Sequence, residues 1–479
     1  MKRYQEVVRI VHQRIESGAL ALGQKLPSVR AMSEQSGYSI VTVHHAYALL
    51  ESEGVIEAKP RSGFYVARSP RPFADSPLRT RAVHSAATPV TVPALTYAVM
   101  SSWHAGGGAA FGALYPSQDL YPHAEINKHL CRVLRQGTRA NSITLSGLAP
   151  EGDSMLREAI AKRAALRHVF VDADDVLVTQ GAMHGMNLCL DALTQPGDLV
   201  LVESPTFFPL LAALQRRHLV AVEIQSHPRG GIDPDHFDHL IKRHSVKACV
   251  LMPVNHYPTG VTYPDDVMRR VVASATRARI PIIENDAFSE LTYTGNAAAS
   301  LKKYDTSDLV FQLGSFSMSL APGYGIGWIV NASHRAVLAE QKFFGNLFSG
   351  GLAQRAVAEY LLANNYDRHL RRLRETLTTR MRQGLALVSQ RLPGHCAISN
   401  PGGGYMCWLR GPKEFDSLAA SHSALSAGIS ILPGPIFSAT NSFHNFIGLN
   451  LSVEWSEENA EKIGKVIDLI TGGPRCRKN

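Results

Sequence analysis

Six short apolar runs, DVLVT, LVLVE, KACVLMP, IPIIEN, LVFQLG and GIGWIV, punctuate the chain between about residues 175 and 330. A run of four to six such residues reads as a strand with no solvent face, and helical stretches set between such runs must cover it from both sides. The series therefore predicts an α/β fold with a mostly parallel sheet. Sheets of this kind bind ligands beyond the C-terminal ends of their strands, so the loops after Thr179, Pro253, Ile283 and Gly314 are the candidate site. From about residue 370 a long charged helix, HLRRLRETLTTRMRQGLALVSQRL, leads into a smaller α/β portion. At 479 residues the chain exceeds what one core sustains.

The first seventy residues have another texture. Tyr4, Val7, Val8, Val11 and Ile15 mark one face of a first helix. Ser28 caps a second, Gly37 ends it, and Ser39 caps a third whose apolar side is Val43, Ala46, Leu49 and Leu50. VIEAK and GFYVA follow as two strands around Pro60-Arg61-Ser62-Gly63. Two short helices across a glycine turn, followed by a hairpin, outline a winged helix-turn-helix, mainly α. Residues 1–71 carry ten basic and six acidic side chains, a large share of the net +9 in about a seventh of the length. That concentration points to an acidic partner such as duplex DNA.

Residues 69–94, rich in Pro, Ser, Thr and Ala without apolar periodicity, read as a flexible connector. The expected division is residues 1–69, a linker 70–94, and 95–479, the last with a large part to about 370 and a small part at 371–479. The six cysteines form no CxxC pair and no clustered metal set appears, so reduced thiols in a cytoplasmic protein without a metal are expected. No apolar run reaches the ~20 residues that span a bilayer, and the N-terminus does not read as a signal peptide.

LPSVR and EGVIEAKPRSGFYV make residues 1–69 resemble the GntR-type winged helix-turn-helix. The resemblance implies that Lys25 and Arg30 meet phosphates, with Ser28 and Ser39 as the two caps. It also implies that Val41, Thr42, His44 and His45 reach base edges in the major groove. On the wing, Arg61 would approach the minor groove or backbone, beside Lys59, Ser62 and Gly63. Many relatives carry Arg directly after the serine of the third helix; here Ile40 stands there.

Farther on, APEGDSMLREAIAKR, VTQGAMHG, VESPTFF, NHYPTG, IIENDAFSEL, GSFSMSLAPGYGIGW and NPGGGYMCW resemble fold-type I aminotransferases. The joined pair resembles the MocR subfamily of GntR regulators. The pocket that the resemblance implies comprises Gly181, Ala182, Phe207, Tyr257, Asn285, Phe288, Ser315, Ser317, Met318 and Gly325.

A pyridoxal-phosphate enzyme needs a lysine to form an imine, a carboxylate against the pyridine nitrogen, cations and backbone donors for phosphate, and an arginine for the substrate carboxylate. In this chain Met318 takes the lysine position, Asn285 the aspartate, Phe288 the tyrosine, Gly325 the phosphate arginine and Gly448 the substrate arginine. Asp286 is a poor substitute for Asn285, because neighbours on a strand face opposite ways. Two lost charged contacts cost roughly 3–6 kcal/mol, about a hundred- to ten-thousand-fold in affinity. No catalytic residue and no covalently bound cofactor are expected. Three uses of the pocket stay open: a filled scaffold, a site for a less charged effector, or weak non-covalent pyridoxal phosphate. The expected protein is a homodimeric regulator of a DNA operator; the rival is an enzyme using a displaced lysine, with Lys302, Lys303 and Lys342 all off the motif.

Overall fold

The computed structural model describes residues 3–16, 19–20, 23–52, 55–59, 62–66, 86–91, 96–97, 109–137, 149–293, 299–347, 349–363 and 365–472. Most of the proposed linker, together with Pro60, Arg61 and Cys476, lies outside them.

The N-terminal unit consists of α1 (Arg3–Glu16), α2 (Val29–Ser36), α3 (Ile40–Ser52) and an antiparallel hairpin of β1 (Ile56–Lys59) and β2 (Gly63–Val66). Ser28 Oγ accepts from the Ala31 N–H at 3.2 Å, and Gly37 closes α2 in the left-handed region at φ 74°. Ser39 Oγ accepts from the Thr42 N–H at 3.2 Å and starts α3. Val7, Val11, Met32, Val43, Ala46, Leu50, Ile56 and Val66 form this unit's own core. Tyr47 fills the inward place expected of Leu49, because its buried ring can send its hydroxyl to the Pro27 carbonyl at 2.9 Å.

The large sheet runs in the order 88–89, 220–227, 199–204, 246–251, 282–285, 310–315, 327–330, 176–179, with Gly231–Ile232 hung on 220–227. The five strands from 220–227 to 310–315 are mutually parallel, whereas Gly327–Val330 runs antiparallel to both neighbours. Gly327 allows that strand to press on the start of helix Ala182–Leu193: a Cβ there would sit 2.4 Å from the Gly181 carbonyl carbon. Thr88–Pro89 joins the sheet edge and Val90 is buried, so the sheet draws in the end of the stretch read as a connector. Helix Asn365–Arg391 leads to a four-stranded antiparallel sheet, ordered 397–398, 406–410, 446–450, 432–433. Among the described residues no helix is long and apolar enough to cross a membrane.

Candidate functional site

Three of the four loops singled out by the strand pattern, those after Thr179, Ile283 and Gly314, converge; the one after Pro253 does not reach the cavity. Strands 176–179, 282–285 and 310–315 end around a cavity of about 150 Å³ that nine of the ten expected pocket residues line. Tyr257 is the exception. It packs behind Phe207 and Phe288, with ring centroids 5.6 and 5.7 Å away, and its buried hydroxyl has no hydrogen-bond partner among the described residues. Local pattern missed Leu114, Tyr115, Gln180, Met183, Ala287 and Pro322. Leu114 and Tyr115 arrive from a distant segment held by Asn450, whose side-chain amide donates to the Ala113 and Tyr115 carbonyls at 3.0 and 2.8 Å.

Met318 is only 6 % exposed. Its Sδ lies 3.1 Å from the Tyr405 hydroxyl, which donates to the Leu114 carbonyl at 2.6 Å. The Tyr405 and Phe288 rings adjoin at 5.5 Å, so thioether and aromatic faces fill the wall where an amine and a phenol belong. Ser315 Oγ, 3.0 Å from Ser317 Oγ, accepts from the Ser317 N–H at 3.1 Å, so these hydroxyls answer one another. Gly325 has φ 57° and faces open space, since a Cβ there would meet nothing within 4 Å. Helix Ala182–Leu193 begins at Gly181 (φ 78°) with no side-chain cap.

Alternation along the strand separates Asn285 from Asp286. Asn285 lines the cavity. Asp286 turns away and pairs with the buried Arg167, which also reaches Ser289 Oγ at 2.9 Å. Beside this pair, burial and the Asp286 charge push Glu284 up to about 7. Sequence reading rejected Asp286 but gave no sign of Arg167, which lies 119 residues away.

The residues present do not fit an imine-linked, ring-protonated pyridoxal phosphate. A thioether forms no imine and Asn285 carries no charge. Among the described residues no lysine or arginine lines the cavity. Lys302 is tied to Asp305 and Asp308, and Lys303 lies near Asp265. Lys342 is buried against the Pro150 carbonyl, and desolvation pulls it down to about 8. At Gly448 a Cβ would come within 3.3 Å of the Phe437 ring, so packing occupies the place of a substrate arginine. A larger depression of about 840 Å³ lies between helices 417–426 and 457–471 and holds none of these residues.

At the other site, Lys25, Arg30, Lys59, Ser62 and Gly63 are exposed on the N-terminal unit, as are the capping serines. Lys59 lies 4.6 Å from the Tyr65 ring centroid, and the Lys25 stem runs beside Gly63. The four base-reading candidates differ in freedom. Thr42 Oγ1 is 2.8 Å from Ser39 Oγ inside the cap, and the His45 ring stacks on Tyr4 at 4.4 Å. Val41 and His44 stand on the exposed face of α3, with Ile40 beside them.

Comparison with known proteins finds relatives for both regions. Residues 120–461 match the family model for aminotransferase class I and II, and residues 3–66 match bacterial regulatory proteins of the gntR family. The Escherichia coli K12 helix-turn-helix transcriptional regulator YdcR is 32% identical over 98% of this chain and 99% of its own length. YjiR, a regulator of the same type from that strain, is 29% identical over 98% and 99%. Among solved structures, Pyrococcus horikoshii kynurenine aminotransferase superposes with TM-score 0.68 at 24% identity, over 74% of this chain and 89% of that one. The multiple substrate aminotransferase of Thermococcus profundus gives 0.70 at 22%, over 80% and 95%. At such identities these two show the fold alone. The chain belongs to the family of transcription regulators that join a GntR-type helix-turn-helix domain to a class I and II aminotransferase domain.

Proposed function

We propose that this chain is a cytoplasmic, sequence-specific DNA-binding regulator whose aminotransferase-like domain performs no transamination and pairs two copies of the chain. One observation carries the reading: buried Met318 stands in the turn just past strand 310–315, in a cavity wall where, among the described residues, there is no lysine or arginine. The electron-withdrawing chemistry of pyridoxal phosphate needs an amine and a ring-facing carboxylate together, and this wall supplies neither. Dimerisation is supported by apolar side chains left on the surface around helix Arg335–Asn346, among them Phe344 at 77 % exposure and Leu347 just beyond. Two copies would present two readers to paired half-sites.

The test is borohydride reduction of the full chain after incubation with pyridoxal phosphate, followed by peptide mass spectrometry. No site-specific adduct is expected; a stoichiometric adduct on one lysine would establish the displaced-lysine enzyme instead. A second reading concerns an effector. The cavity of about 150 Å³ shares Gln180 and Gly325 with a neighbouring one of about 230 Å³. The first alone is smaller than the ~300 Å³ at which drug-sized sites begin. Its apolar walls and few hydroxyls suit a small uncharged effector, whose binding would shift DNA affinity.

A further inference from the structure

Direct readout of duplex DNA relies on a few side chains. Arg and Lys fit guanine, Asn and Gln fit adenine, and apolar groups fit the thymine methyl. The 13 residues of α3, IVTVHHAYALLES, contain no Arg, Lys, Asn or Gln. Val43, Ala46, Tyr47 and Leu50 point into the core, leaving Ile40, Val41, His44, His45 and Ala48 as the exposed face. At its N-terminal end stand Ile40 at 52 % exposure and Val41 at 78 %. Exposing two adjacent β-branched side chains to water is costly unless something covers them. The unit carries exposed Lys25, Arg30 and Lys59, a complement for phosphates rather than for an apolar protein partner.

Resting on the DNA-binding reading above, we infer that Ile40 and Val41 read thymine through its 5-methyl group, so that the half-site core is specified by methyl packing. His45 is held against Tyr4, and Thr42 is committed to the helix cap. Neither competes for that contact. Burying one methyl against one aliphatic side chain corresponds to about fourfold in affinity.

The probe is duplex DNA selected from a random pool by the full chain. Each thymine of the selected sequence is replaced in turn by uracil, which removes the methyl and keeps every hydrogen-bonding edge. Binding is expected to weaken about fourfold at one or two neighbouring thymines of each half-site and to be unchanged elsewhere. Ile40→Ala and Val41→Ala should each abolish the uracil penalty at one position, read as the ratio of the same variant's affinities for the thymine and uracil duplexes. Both positions are exposed, so the variants keep the parent's fold, and unchanged melting confirms it. Uracil tolerated throughout, or penalties that persist in both variants, would overturn the inference. A pool from which the chain enriches no sequence would instead overturn the DNA-binding reading, and the inference with it.

Discussion

The N-terminal DNA-binding unit and the cavity at the strand ends place charge in opposite ways. The reader retains exposed cations at Lys25, Arg30 and Lys59 and has apolar residues at the tip of α3. Among the described residues the pocket wall carries glycines and hydroxyls and no charged side chain. Solvent explains the contrast. A surface charge costs almost nothing to keep, whereas a buried charge that loses its partner costs several kcal/mol. Asp286 tests the logic from within: one residue from Asn285, it is still charged-type and buried, and Arg167 answers it.

The contrast can be broken most sharply by placing the same amine in both regions. Met318→Lys buries an unpaired ammonium and should cost about 3–5 kcal/mol, read as a large fall in melting temperature. Val41→Lys should stay within about 0.5 kcal/mol. Equal effects would refute the claim that burial separates the two regions. Next, Gly448→Arg must force itself against Phe437, at about 1–3 kcal/mol or more, whereas Gly325→Arg meets open space and should cost about 1. Arg30→Ala should leave melting unchanged, weaken DNA binding several-fold at moderate salt, and lower the slope of log affinity against log salt by about 0.9. An unchanged slope would place Arg30 away from phosphate.

The smallest effect concerns pH. Burial lifts Glu284 from 4.5 to about 7, so the fold holds its proton more tightly than the unfolded chain does. That contribution is complete below the unfolded value and is lost as pH rises through about 7. The melting temperature of Glu284→Gln relative to the parent should therefore rise by a few degrees between about pH 5 and about pH 8. A flat difference would mean that Glu284 ionises normally.

Much of the architecture was legible because it rests on local patterns. Strand runs, the serine caps at Ser28 and Ser39 and the glycine stop at Gly37 are decided within a few residues. The cavity's lining was also largely legible, since nine of the ten residues picked from short motifs line it. Long-range contacts were not. Leu114 and Tyr115 reach the cavity through Asn450, and Arg167 finds Asp286 across 119 residues, with no periodicity to announce either. Tyr47 was passed over because a tyrosine in a helix reads as half-exposed until Pro27 supplies its acceptor. The availability of Ile40 and Val41, and the engagement of Thr42 and His45, needed the folded surface.

On the proposed function the pocket holds no pyridoxal phosphate while the N-terminal unit binds DNA. Calorimetric titration of pyridoxal phosphate into the full chain tests it most directly. No saturable heat is expected. Saturable one-to-one binding would contradict it and make the chain a non-covalent sensor of the cofactor.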